Sequence, residues 1–162
     1  MSRRKRTIVG LKRAELLGER PPFIPEPDCK GVQLTGLRYE KKVADYLKNR
    51  YGEKRVWHGP WFEFEDRHGK GWCSPDVLVF PTGLGPVVVG EVKLTVTRDA
   101  QRQLQKLYIP VVRHLWPNNP IRPVQISLNL RQGFDGTLTD LDEILSEEEP
   151  PWKFATLRWR PK

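Results

Sequence analysis

The stretches Ser74-Pro75-Asp76-Val77-Leu78-Val79-Phe80 and Val87-Val88-Val89-Gly90-Glu91-Val92-Lys93-Leu94 decide how this chain is read. Both are short apolar runs bounded by turn residues, the pattern of buried strands. Between them, Pro81-Thr82-Gly83-Leu84-Gly85-Pro86 marks a tight reversal. Pairing Phe80 with Val87 sets an antiparallel register that puts Asp76 opposite Glu91 and Ser74 opposite Lys93. Side chains alternate along a strand, so Asp76, Glu91 and Lys93 share one face. Opposed side chains in such a ladder have Cβ atoms roughly 4.5–5.5 Å apart. Two carboxylates that close repel strongly even at an effective dielectric of about 20. A hard divalent cation between them reverses the sign.

Length and charge frame this pair of strands. The chain has 162 residues, enough for one domain with a real core and hardly for two. A formal net charge of +8 favours nucleic acid, or less often an anionic membrane surface, as partner. Asp140, Asp142, Glu143, Glu147, Glu148 and Glu149 form an acidic stretch; removing those six charges from the +8 total leaves +14 elsewhere. A solvated face explains the stretch better than a regulatory role. Cys29 and Cys73 are the only cysteines and lie in no Cys-x-x-Cys pair. They make no disulfide framework and no structural zinc site, and an intracellular, cytoplasmic setting is expected. In the register above, Cys73 points away from the Asp76 face. His58, His68 and His114 show no ligand spacing. The basic start, Arg3-Arg4-Lys5-Arg6, precedes only Ile8 to Leu11 before Lys12, too short for a secretory signal. No apolar run is long enough to span a membrane.

Residues 1–30 read as a basic, Pro-rich arm outside a domain of residues 31–162. Arg20-Pro21-Pro22-Phe23-Ile24-Pro25-Glu26-Pro27 should be extended. Such an arm suits tracking along DNA or docking on a subunit, and equally a disordered tail. Thr35 is placed to cap a helix from about Gly36 to Tyr51, with Leu37, Val43, Ala44, Leu47 and Tyr51 as its apolar stripe. Glu40 falls inside that stripe. Helical geometry alone makes it a stripe-edge carboxylate paired with Lys41 or a neighbouring base. Residues 55–65 read as one strand carrying Trp57, Trp61, Phe62 and Phe64, and Asp66 to Gly71 as a turn. Arg98 to Trp116 reads as a helix with Leu104, Leu107, Val111 and Leu115 on one face and Gln101, Gln105 and Tyr108 as a polar stripe; Pro110 should kink it. Ile121 to Leu130 alternates as a half-buried strand, Val124, Ile126 and Leu128 inward, Gln125, Ser127 and Asn129 outward. A short helix near Leu138–Ser146 and a strand over Trp152–Arg160 close the chain.

Asp76 and Glu91 together can hold one or two Mg²⁺ ions, with water and substrate phosphate completing the coordination. Lys93 would orient or deprotonate water, or stabilise a pentacovalent phosphate as a point charge. Three ionisable groups among apolar strands are expensive, which favours function. The bare spacing is weak, and Glu91 with Lys93 also fits a same-face surface ion pair.

Pro75-Asp76 and Glu91-Val92-Lys93 match both halves of the signature of the PD-(D/E)xK nuclease superfamily, which the chain resembles over roughly three fifths of its length. The resemblance implies an α/β restriction-endonuclease-like core, a central mixed sheet flanked by helices in the order helix, three strands, helix, strand. It implies Asp76 and Glu91 as metal ligands, the Val92 carbonyl as a third, and Lys93 as catalytic. Glu40 matches the glutamate that many members carry on the preceding helix. The RecB-like branch adds Gln-x-x-x-Tyr on the following helix. Here Tyr108 has Leu104 four residues before it, Gln103 five and Gln105 three, so Gln101 and Gln105 stand as substrate- or lysine-positioning candidates. The implied activity is Mg²⁺-dependent hydrolysis of DNA phosphodiesters, with Mn²⁺ as substitute, as in a junction resolvase or a phage or mobile-element endonuclease. The alternative is an inactive DNA-binding or phage assembly module on the same fold. DNA is the expected partner, in a monomer or a homo-oligomer such as a homodimer.

Overall fold

The computed structural model describes residues 6–95, 97–129, 136–146 and 155–162. Six strands form the main sheet: β2 (Val56–His58), β5 (Val77–Val79), β6 (Val87–Thr95), β7 (Ile121–Asn129), β8 (Gly136–Thr137) and β9 (Ala155–Arg158). Their spatial order is β2-β5-β6-β7-β9-β8. The β2–β5–β6 half is antiparallel, whereas β6, β7, β9 and β8 run parallel, so the sheet is mixed. A second sheet of three strands has the order β1-β3-β4, with β1 Arg13–Gly18, β3 Trp61–Asp66 and β4 Gly69–Cys73.

Helix α1 (Val32–Tyr51) covers one face of the main sheet. Its Tyr39, Val43 and Leu47 pack with Val77, Val79, Val88, Val92, Val124 and Ile126. The helix begins four residues before the expected start. Gly31, at φ 58°, takes the left-handed turn that a side chain resists, and Thr35 lies within the first turns, its hydroxyl donating to the Gly31 carbonyl. Tyr39 is buried where Leu37 was expected, and Leu37 is exposed.

The other face carries the segment from Arg98 to Leu115: α2 (Arg98–Gln103), a π-helical stretch (Leu104–Tyr108) and α3 (Ile109–Leu115). Thr97 caps it by accepting from the Ala100 N–H. Leu104, Leu107, Val111 and Val112 meet Leu78, Val87 and Val89 there, joined by Phe62 and Phe64 of β3. Pro110 lies in the first turn of α3 and the helix runs on through it. Proline has no N–H to give the Lys106 carbonyl. The Ile8 N–H donates to that carbonyl instead, at 2.9 Å.

That bond belongs to a correction. The boundary near residue 30 does not hold for residues 6–24. β1 pairs with β3. Arg6 reaches the fully buried Asp66 at 2.5 Å, and Ile8, Leu11 and Ala14 pack against the core. Ile24 is buried as well. Arg3, Arg4 and Lys5 lie outside the described residues, as do Leu130, Glu147, Glu148, Glu149 and residues 152–154.

The single strand expected over 55–65 is two. Gly59, at φ 59°, and Pro60 separate β2 from β3, and the two strands enter different sheets. The expected turn at 66–71 shrinks to Arg67 and His68, because β4 begins at Gly69. Cys73 lies on β4 and packs in the cluster of Leu78 and Val89, so it shares the face from which it was expected to point away. Burial pushes its thiol up to about 12, which leaves it inert at neutral pH. The short helix over residues 138–146 is present as a 3₁₀ turn (Leu138–Asp140) leading into α4 (Leu141–Ser146).

Candidate metal centre on the sheet face

The β5–β6 ladder pairs Val77 with Gly90, Leu78 with Val89 and Val79 with Val88. This is the register expected from the sequence, and one step further along it Asp76 faces Glu91. Gly90 makes the approach close: a Cβ there would stand 2.6 Å from Val77 Cγ1. Asp76 is pinned from both sides. Its carbonyl accepts from the Gly59 N–H at 2.8 Å, and its carboxylate accepts from the Val92 N–H at 2.7 Å. The Val92 amide thus holds the Asp76 carboxylate, on the strand position whose carbonyl the resemblance implies as a further ligand.

Glu91 is buried, 1% exposed, on the face that carries Val87 and Val89. Lys93 stands two residues on, with Nζ 3.5 Å from one Glu91 oxygen, and its side chain keeps 38% exposure. The pair is therefore no surface ion pair: the carboxylate is inside and the ammonium at the opening. The other Glu91 oxygen is buried without a hydrogen-bond partner among the described residues.

Electrostatics follow from this burial. Desolvation, then the charges of Glu91 and Glu40, push the Asp76 carboxyl well above the usual carboxylate range. Desolvation pushes Glu91 up to about 7 against the pull of Lys93. Burial lowers the Lys93 ammonium, but Glu91 and Asp76 outweigh it and the net shift is upward. Tyr108, buried on the same face, is raised well above its usual value by desolvation and then by the charges of Glu91 and Asp76.

Glu40 reaches this cluster from α1. Its carboxylate meets His58 Nε2 at 3.0 Å rather than Lys41. His58 sits on β2 directly beside Val77, which brings the Glu40–His58 pair to the Asp76 end of β5. Nothing in the spacing of His58 marked it; the β2–β5 pairing alone places it there.

The helical candidates divide. The expected stripe of Gln101, Gln105 and Tyr108 assumes an unbroken α-helix. The π-helical stretch, with its i→i+5 bond from the Ile109 N–H to the Leu104 carbonyl, shifts the phase. Gln105 is exposed, Gln101 half-buried, and Tyr108 turns inward. Gln103 has its side-chain oxygen buried, and it lies five residues before Tyr108. In a π-turn that spacing does what four does in an α-helix. The Gln103–Tyr108 spacing was visible in the sequence; the π-turn that gives it meaning was not.

Two further polar residues lie on the same face. Gln125 pairs with Glu91 and Ser127 with Lys93 across β6 and β7, and both are completely buried. They were expected on a solvent face. The segment Arg98–Leu115 lies over that face, so the clean alternation of β7 separates two buried sides.

A hard divalent cation fits this donor set. Asp76 and Glu91 offer carboxylate oxygens, and the unpartnered Glu91 oxygen is a buried acceptor that a cation would satisfy. Among the described residues no three His, Cys, Asp or Glu stand close enough to hold an ion by themselves. Mg²⁺ does not need three, since it commonly takes one or two carboxylates and completes its shell with water and phosphate. No helix among the described residues is long and apolar enough to cross a membrane. Comparison with protein families, with curated proteins and with solved structures finds no match.

Proposed function

We propose that the chain is a metal-dependent DNA nuclease with a restriction-endonuclease-like core. The observation that carries this reading is the convergence of Asp76, buried Glu91 with its unpartnered oxygen, and Lys93 at the opening of one sheet face. The arrangement of α1, the β5–β6 hairpin, the Arg98–Leu115 helical segment and parallel β7 supports the core assignment. The net charge of +8 supports a polyanionic substrate.

Asp76 and Glu91 would hold Mg²⁺ or Mn²⁺. When bound, the ion acidifies water and stabilises charge on a phosphate. The Val92 N–H holds the Asp76 carboxylate in place, so little reorganisation accompanies binding. Lys93 donates toward Glu91 and presents its charge at the open end of the site, where it orients water and offsets the charge of a pentacovalent phosphate. Glu40, held by His58, adds a third carboxylate at the Asp76 end. Incubating plasmid, branched and single-stranded DNA with the protein in Mg²⁺ or in EDTA tests the reading. Cleavage that requires Mg²⁺ is expected. DNA binding without cleavage of any of the three would replace the reading with an inactive binding module.

A further inference from the structure

The face that carries Glu91 and Lys93 continues onto β7 through Gln125 and Ser127. Both Gln125 amide atoms and the Ser127 hydroxyl are buried without hydrogen-bond partners among the described residues. The neighbouring Glu91 oxygen is in the same condition. Each such atom costs free energy, and most buried polar atoms in proteins are satisfied. Here four of them share two adjacent strands that lie about 4.8 Å apart. Val87, Val89, Leu104 and Ile121 pack apolar surface there, with the Tyr108 hydroxyl beside Glu91. An apolar side chain at 125 or 127 would remove the cost without disturbing this packing. The chain instead places an amide, with donors and acceptor, beside the buried carboxylate, and a hydroxyl beside the ammonium. Groups of this kind are satisfied by ordered water or by the waters that a hard cation keeps.

We propose that Gln125 and Ser127 are positioning residues of the metal centre, holding the hydration shell of a divalent cation beside Glu91 through hydrogen bonds to its waters. The proposal rests on the metal-dependent reading of this same site. Gln125 donates to and accepts from such waters beside Glu91; Ser127 does the same beside Lys93. Neither residue touches the scissile phosphate. Removing them should therefore weaken cation binding in the absence of DNA, a readout separate from cleavage.

The test is titration of metal-free protein with Mn²⁺ by calorimetry, with water-proton relaxation reporting the hydration of the bound ion. Wild type, Asp76→Ala, Gln125→Met and Ser127→Ala are compared, and the melting temperature of each is measured without metal. Gln125→Met should raise the Mn²⁺ Kd by about 10–100-fold, the range seen when outer-shell partners of a metal site are lost. The relaxation enhancement of the remaining complex should change, and the metal-free melting temperature should hold or rise, because an unsatisfied buried group has gone. Ser127→Ala should act in the same direction, and since it removes one oxygen it serves if Gln125→Met does not fold. A Kd within twofold of wild type for the variant measured overturns the proposal, and a lowered metal-free melting temperature with unchanged Kd shows a purely structural role. Wild type that binds Mn²⁺ no better than Asp76→Ala overturns the metal-dependent reading itself, and this proposal with it. Loss of binding in Asp76→Ala together with wild-type binding in Gln125→Met overturns this proposal alone.

Discussion

The Lys93 ammonium offsets the buried Glu91 carboxylate and stands at the opening of the sheet face. Lys93→Met keeps the stem and removes the charge. Cleavage should fall by orders of magnitude, while Mn²⁺ binding is largely retained; collapse of metal binding would make the lysine a structural counter-ion. On the proposed reading, Asp76→Ala and Glu91→Ala should abolish cleavage and leave DNA affinity in place, because positioning on a duplex would come from phosphate contacts elsewhere. A filter-binding assay beside a cleavage assay decides, and wild-type cleavage by either variant ends the assignment. Asp66 is a carboxylate of the opposite kind. Burial pushes it up, but the Arg6 guanidinium and the N–H groups of Val9 and His68 outweigh burial and hold it below the usual range. A lowered folded pKa adds stability that is present above the unfolded value of about 4 and is lost as pH falls below it. Asp66→Asn should cost about 1–3 kcal/mol at pH 7 and progressively less below pH 4. Urea denaturation across that window measures the difference, and a pH-independent loss would mean that the pair with Arg6 carries no charge contribution.

At the scale of elements, the hairpin of β5 and β6 sets the distance between the two carboxylates, and Gly90 sets the hairpin. Its backbone lies against Val77, where a Cβ would collide at 2.6 Å. Gly90→Ala should cost about 1–3 kcal/mol as overpacking. It should also push β5 outward and part Asp76 from Glu91, so cleavage should fall further than stability accounts for. Val77→Ala makes room, and the double variant should cleave faster than Gly90→Ala alone. Equal rates for the two would separate the hairpin's packing from the site. The π-helical stretch acts at the same scale. By adding a residue to the turn it faces Tyr108 toward the carboxylates and leaves Gln105 to solvent, and Pro110 opens the Lys106 carbonyl to Ile8.

For the whole molecule, the N-terminal segment is part of the body. β1, the Ile8 bond to Lys106 and the Arg6–Asp66 pair tie it to β3 and to the helical segment behind the site. Deleting residues 2–18 should lower stability by more than about 3 kcal/mol, the scale of breaking one buried ion pair, and should weaken cleavage through unfolding. A truncated protein with wild-type melting temperature and cleavage would make the segment a detachable arm after all. The hairpin register was legible in the sequence, because strand periodicity and a turn of prolines and glycines are local signals, and so were Asp76, Glu91 and Lys93 on one face. Val43, Ala44 and Leu47 of the α1 stripe, the helical character of residues 98–115 and the α4 region were legible for the same reason. Only the tertiary structure decided that residues 55–65 feed two sheets and that β1 pairs with β3. Only it brought His58 to Glu40 and covered Gln125 and Ser127. These depend on which surfaces meet across long separations: an alternating strand reads the same whether its polar side faces water or a helix, and the path of residues 98–115 over β7 buries that side.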